Sequence, residues 1–285
     1  MANRTDQARP LAGAASRNDA LLQQALYALN GQRAQDAERI AGEVLKAAPR
    51  HPQALHIFGC ALLIQGRAEQ AIAPLETAAR GRHDPEIDTQ LAVALRQVGR
   101  RDDALRRLKH ATKQRPPYPA AFRELGNLLF AMERYDEAIE ALTRGLEIAP
   151  LMPDLSIQLG YVFLQRKNYA AAKVALARAL NIVPGSAEAL FGMAKAHRDL
   201  GENEPAADYF RRYLVTMPGD QSAWMHLGHC LLELGQLDAG YACFRTAAQG
   251  GPKSYGGALT SLVASGRGRF WIRPSAAAQF LRARR

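Results

Sequence analysis

The most metal-like group of residues in the chain is His226, His229 and Cys230, in the string HLGHC. Residues three apart on a helix share a face, and imidazole nitrogen and thiolate sulfur are natural zinc ligands. No further ligand stands beside them at zinc spacing, so a small polar or packing role is the simpler reading. Gly266-Arg267-Gly268 is a two-glycine fragment without a preceding strand, which argues against dinucleotide binding. There is no Walker-type phosphate loop, no G-x-S-x-G and no His-Glu-x-x-His. Cys60, Cys230 and Cys243 are too few and too scattered for a disulfide framework, and they point to a reducing compartment. The residues therefore predict no enzyme, no cofactor and no metal.

What remains is to ask which elements carry these side chains. The chain has 285 residues, 48% of them hydrophobic and 22% charged, enough to bury a substantial core in one or two domains. Its first residues, MANRTDQARPLAGAAS, lack the apolar core of a secretory leader, and no stretch approaches the roughly 18 apolar residues of a membrane span. These features predict a cytoplasmic protein without a transmembrane segment.

A fixed period dominates the chain. Small residues recur at Ala37, Ala71, Ala104, Ala138, Ala172, Ala206 and Gly240, and every interval is 34 residues except one of 33. Prolines follow in the same phase at Pro49, Pro116, Pro150, Pro184, Pro218 and Pro252, with His83 as the one exception. A third series, Gly59, Ala92, Gly126, Gly160, Ala194 and Gly228, precedes the small residues, each member following a large apolar residue such as Phe58 or Leu125. A period of this length means stacked supersecondary units. In the fourth unit, apolar residues three and four apart flank a break at Glu133 to Tyr135, the pattern of two amphipathic helices. Gly126 and Ala138 should let the two helix backbones approach, with Leu125 and Leu142 beside them, and Pro150 should end the pair.

The arrangement resembles the tetratricopeptide repeat family. The seventh unit carries the match most fully through Trp224, Leu227, Gly228, Phe244, Ala247 and Pro252, with Gly240 where alanine is usual. The resemblance implies an all-α solenoid, a right-handed superhelix of about seven helix-turn-helix units over 18–252, starting near 18, 52, 85, 119, 153, 187 and 221. A flexible segment over 1–17 and a basic cap and tail over 253–285 complete the expected layout. The first unit is expected to have a short first helix, as befits a terminal repeat.

In this family the first helices line a groove. Arg123 and Asn127 resemble the Lys and Asn that begin the carboxylate clamp of chaperone-tail-binding members, but Gln158, Glu188 and Gly192 break that match. The asparagine ladder of the sugar-transferase branch is absent as well, since the equivalent series reads Ile57, Gln90, Glu124, Gln158, Gly192, His226. The groove candidates are Arg96, Arg123, Asn127, Gln158, Tyr161, Lys195, Arg198 and His229, a polar and slightly basic set suited to an extended or acidic segment.

The net charge of +10 is local. Residues 253–285 hold +7, and the run from Arg100 to Arg115 holds +5 with only Asp102 and Asp103 counted against it, which leaves −2 for the rest. In the tail, Leu259, Leu262 and Val263 suggest a capping helix ended by Gly266, and Pro274 opens a last helix through Ala277 to Leu281. Between them Arg267, Arg269, Trp271 and Arg273 are candidates for a basic contact, while Phe270, Trp271 and Phe280 are expected to fold back on the last repeat. The expected function is a non-enzymatic adaptor binding one or more proteins. Binding to nucleic acid or an anionic surface through the third-unit arginines and the tail is the alternative, and a non-catalytic subunit of a transferase complex is a further one.

Overall fold

The computed structural model describes the backbone of residues 8–81, 83–264 and 274–282, and side chains within 17–81, 83–263 and 275–282. Among the described residues the protein is an all-α solenoid of helical hairpins without strands. It divides into two compact units, 1–148 and 149–285. The first holds α1 (Ala8–Asn30), α2 (Ala34–Ala47), α3 (Pro52–Ile64), α4 (Ala68–Ala79), α5 (Pro85–Gln97), α6 (Arg101–Ala111), α7 (Pro119–Ala131) and α8 (Tyr135–Ile148). The second holds α9 (Pro153–Gln165), α10 (Tyr169–Ile182), α11 (Ala187–Asp199), α12 (Asn203–Thr216), α13 (Gln221–Glu233), α14 (Leu237–Ala248), α15 (Pro252–Ala264) and α16 (Pro274–Arg282). Odd and even helices pair in sequence, α1 with α2 through α15 with α16.

Start signals in the sequence explain where first helices begin. Pro52, Pro85, Pro119 and Pro153 occupy first-turn positions, where a missing N–H costs nothing. Asp84, Ser186 and Asp220 cap their helices, accepting from the amides of Glu86 (2.9 Å), Ala189 (3.4 Å) and Ala223 (3.1 Å). The turn inside each of the first seven hairpins is a Schellman closure, as in Arg134 N–H to Leu129 O at 2.9 Å. It demands a left-handed residue, supplied by Gly66, Gly99, Gly201 and Gly235 but also by Gln32, Glu133 and Lys167, at φ of 57°, 59° and 55°. This series has the same period as the others and was not read from the sequence.

Glycines on first helices do more than let backbones approach. A Cβ on Gly126 would lie 2.5 Å from Cγ of Leu142, and those on Gly59 and Gly160 would meet Leu75 and Leu176 at 2.5 and 2.6 Å. Each glycine is a notch that receives a large side chain from the partner helix. At Gly228 the occupant is Phe244, at 3.0 Å. The exceptional Gly240 has its own cause: a methyl there would stand 2.8 Å from Leu232 and 3.1 Å from the Gly228 carbonyl.

The ends depart from expectation. α1 begins at Ala8 and is the longest described helix at 23 residues, where a start near 18 and a short helix were expected. Its extra turns lie in the segment expected to be flexible. At the other end α15 and α16 pack against α14, and Ala258, Leu262, Ala277 and Leu281 are buried with Phe244 and Ala247. Val263, expected on that face, is exposed, because Ala258 and Leu262, a turn apart, form the buried stripe.

α6 is irregular. Pro49 stands two residues after the end of α2, whereas Pro116 stands five after the end of α6. Instead of another helical turn, Gln114 folds back so that its Nε2 donates to Asp88 Oδ2 at 2.8 Å. Asp88 is 2% exposed and occupies the position held by Leu55 and Phe122 in the neighbouring pairs. Arg107 at 3.3 Å and His110 Nδ1 at 2.7 Å complete its partners. The run from Arg100 to Arg115 therefore faces more acid than its own Asp102 and Asp103. Lys109 also reaches Glu137 at 3.3 Å, so folding neutralises charges that the linear count left free.

Two substitutions test this account in opposite directions. Gly126→Ala is expected to lower unfolding free energy by about 1–3 kcal/mol, because Leu142 has to leave its notch. Glu133→Gly is expected to raise it by about 1 kcal/mol by removing the left-handed strain. Denaturant melts of both variants check the signs, and reversed signs would refute the account.

Candidate functional site

The eight groove candidates divide between the two units. In the first, α5 and α7 bring Arg96 and Arg123 to opposite sides of Glu124, at 3.6 Å and 3.0 Å. Glu124 is almost fully buried, so the two arginines are partly consumed in stabilising it. Asn127, half-buried one turn along α7, has a buried Oδ1 that receives no hydrogen bond. Ile57, by contrast, is core at 2% exposure, and Gly192 is likewise buried, so that series does not run along an open face.

In the second unit, α9, α11 and α13 carry Gln158, Tyr161, Lys195, Arg198 and His229, all half-buried. The Tyr161 hydroxyl donates to the Glu188 carbonyl at 3.0 Å, which ties α9 to α11. Burial, with help from the Glu188 charge, pushes this phenol up to about 12. Arg198 is bound on two sides. Its Nη2 and Nε hold Asp199 Oδ1 at 2.6 and 2.9 Å, and its Nη1 donates to His226 Nδ1 at 2.7 Å. Because an arginine only donates, His226 must be the neutral tautomer with its proton on Nε2, which lies 3.5 Å from Ser222 Oγ. Burial first, and then the Arg198 charge, hold His226 down at about 4. Lys195 and His229 push the same way. His229, edge-on to Phe244 at 5.1 Å, is also lowered, mainly by burial.

Lys195 differs from Arg198, the other cation of this strip. Among the described residues it has no acidic partner and no hydrogen bond, although it is half-buried and close enough to depress His226. Phe191 was missed by the sequence reading. Its ring lies 5.0 Å from Tyr213 and 5.8 Å from Phe210, making the apolar floor beside Lys195 on α11. It stands at the same repeat phase as Arg123, and that phase was the signal that could have found it.

The metal-like trio does not converge. Cys230 is fully buried with its thiol pushed up to about 11, and His226 Nδ1 is taken by Arg198. Among the described residues no group of three or more His, Cys, Asp or Glu side chains could hold a metal ion, and no helix is long and apolar enough to cross a membrane. Cys60 and Cys243 are buried too, with thiols raised by burial to about 12 and about 11.

Of the tail residues, Phe280 folds back. Its ring meets Tyr241 at 5.2 Å and Arg245 covers it at 4.0 Å, while Tyr255 donates to the Ala278 carbonyl at 2.9 Å. Arg267, Arg269, Phe270, Trp271 and Arg273 lie outside the described residues.

Tetratricopeptide repeat models match residues 22–85, 89–153, 157–221 and 191–255, and a second such model matches 129–183. No curated protein matches the chain. Among solved structures, Pseudomonas aeruginosa PilF is similar over 80% of this chain and 99% of its own, with 18% identity and a TM-score of 0.64. Cut9, solved in an APC/C hetero-tetramer with Hcn1, is similar over 74% of this chain and 42% of its own, with 22% identity and a TM-score of 0.66. MamA from Desulfovibrio magneticus RS-1 is similar over 58% of this chain and 94% of its own, with 19% identity and a TM-score of 0.54. At these identities the likeness is one of fold.

Removing Arg198 should release His226. In Arg198→Ala the imidazole is expected to titrate above its present value of about 4, toward the ordinary 6.5, as read by NMR titration. The sign for stability follows. A histidine depressed in the fold binds its proton more readily when unfolded, so its contribution is complete above about pH 6.5 and disappears as pH falls toward 4. An unchanged titration in the variant would show that Arg198 does not hold the ring neutral.

Proposed function

Because the chain belongs to the tetratricopeptide repeat family, we propose that it is a non-enzymatic scaffold whose first-helix faces take up a segment of a partner protein. The working layout is repeats over 18–252 followed by a cap and tail over 253–285. The observation that supports a binding face most directly is Lys195, a half-buried ammonium with no acid among the described residues. An ammonium in that setting is incompletely solvated, so a carboxylate from outside gains more there than at a fully wet surface. Beside it, Phe191 and Tyr161 offer aromatic surface. The partner segment that fits is extended or helical, with an acidic residue for Lys195 and an apolar one beside it.

His226 sharpens this reading. Held neutral by burial and by Arg198, it adds no positive charge at physiological pH, so recognition of the acid rests on Lys195. In the first unit Arg123 and Asn127 are the corresponding contacts, with the half-buried Asn127 carrying an Oδ1 that receives no hydrogen bond.

Capture from native extract tests the proposal. The wild-type chain is expected to recover at least one protein that the variant Arg123→Ala/Asn127→Ala/Lys195→Ala, folded to the same helicity and melting temperature, does not. Identical recovered sets would overturn groove binding.

A further inference from the structure

The early end of α6 leaves a gap that the other hairpins do not explain. Between the last turn of α6, α7 and α8 lies a cleft of about 280 Å³, floored by Phe122, Leu125 and Leu129 and rimmed by Lys109, Lys113 and Arg144. Pockets for small molecules typically run to about 300–1,000 Å³, so this volume suits one or two amino-acid side chains. Two rim cations have no carboxylate paired with them among the described residues. Arg144 stacks over the Phe122 ring at 5.6 Å, and among the described residues neither it nor Lys113 has an acidic partner. Arg101, on the exposed side of the same helix, and Arg115, just beyond its end, are also unpaired among the described residues. Arg100, Arg106, Arg107 and Lys109, by contrast, are committed to Asp103, Asp88 and Glu137.

We propose that this cleft is a second docking surface, separate from the first-helix faces, for an acidic amphipathic helix of a partner protein. One large apolar side chain of that helix enters the cleft, and carboxylates on its flanks meet Lys113 and Arg144. Charge complementarity selects the occupant. The unpaired cations call for an anion, and the aliphatic floor calls for a buried hydrocarbon group in the same ligand. A nucleic acid fits less well, because the floor of Phe122, Leu125 and Leu129 is hydrocarbon that a sugar-phosphate chain does not fill. Phe122, the one aromatic in the floor, is buried and already covered by Arg144, leaving no face for a base.

The test uses the full chain and a fluorescein-labelled amphipathic peptide of leucines and glutamates, followed by anisotropy. Lys113→Glu/Arg144→Glu lies on exposed positions and is expected to weaken binding by about tenfold or more. A peptide with its leucines replaced by alanine is expected to lose binding as well. The weakening by Lys113→Glu/Arg144→Glu is expected to be the same in a Lys195→Glu background, which separates this surface from the first-helix site. The proposal is overturned if the double variant binds the peptide as the wild type does, or if the alanine peptide binds equally well. Tighter binding of a single-stranded RNA, lost in the same double variant, would also overturn it in favour of nucleic acid.

Discussion

The insertion of one large side chain into a glycine notch on the facing helix is the contact from which the architecture follows. Leu75 in the notch of Gly59, Leu142 in that of Gly126, Leu176 in that of Gly160 and Phe244 in that of Gly228 all occur sixteen residues after the glycine. That offset places the two side chains at the same height on antiparallel helices joined by a tight turn. Once the notch is filled, register and separation of the pair are set together, since a slip of one residue would drive a branched side chain into backbone. A Cβ on Gly192 of the next first helix would also stand 3.0 Å from Leu176, so in the second unit the same side chain links one pair to its neighbour.

A single substitution shows how far a departure from this pattern can reach. Placing Asp88 where neighbouring pairs have Leu55 and Phe122 buries a carboxylate, which must then be surrounded by donors. Arg107, His110 and Gln114 all turn toward it, and α6 stops short as its last residues take up that duty. The cleft above Phe122 and Leu129 is bordered by Thr112 and Lys113, the residues that follow the end of α6.

Electrostatics on the first-helix faces follow a similar logic of commitment. Arg96 and Arg123 attend to Glu124, Arg198 attends to Asp199 and His226, and the Tyr161 hydroxyl attends to a carbonyl. Half of the eight polar side chains that could meet a partner thus position their neighbours. In the proposed binding mode, those left over, Lys195 above all, are where an incoming carboxylate gains most. In a scaffold of repeated units, specificity then rests on the few side chains that the repeat does not employ.

Much of the fold was legible because the repeat writes the same steric demand many times. The period, the hairpin breaks, the ends at proline and the pairing of Gly126 with the second helix could all be read, since glycine and proline act through their own backbone geometry. The left-handed turn series escaped notice, because Gln32, Glu133 and Lys167 are not residues that announce positive φ. Phe191 escaped because a phenylalanine on a helix has no chemical label until its neighbours are known. Local spacing alone therefore determined the hairpins. Tertiary structure decided which charges are free: Lys109 finds Glu137, Asp88 finds Gln114 and Arg198 finds His226 across more than twenty residues. Coulomb and hydrogen-bond energies depend on distance in space, and only folding sets that distance.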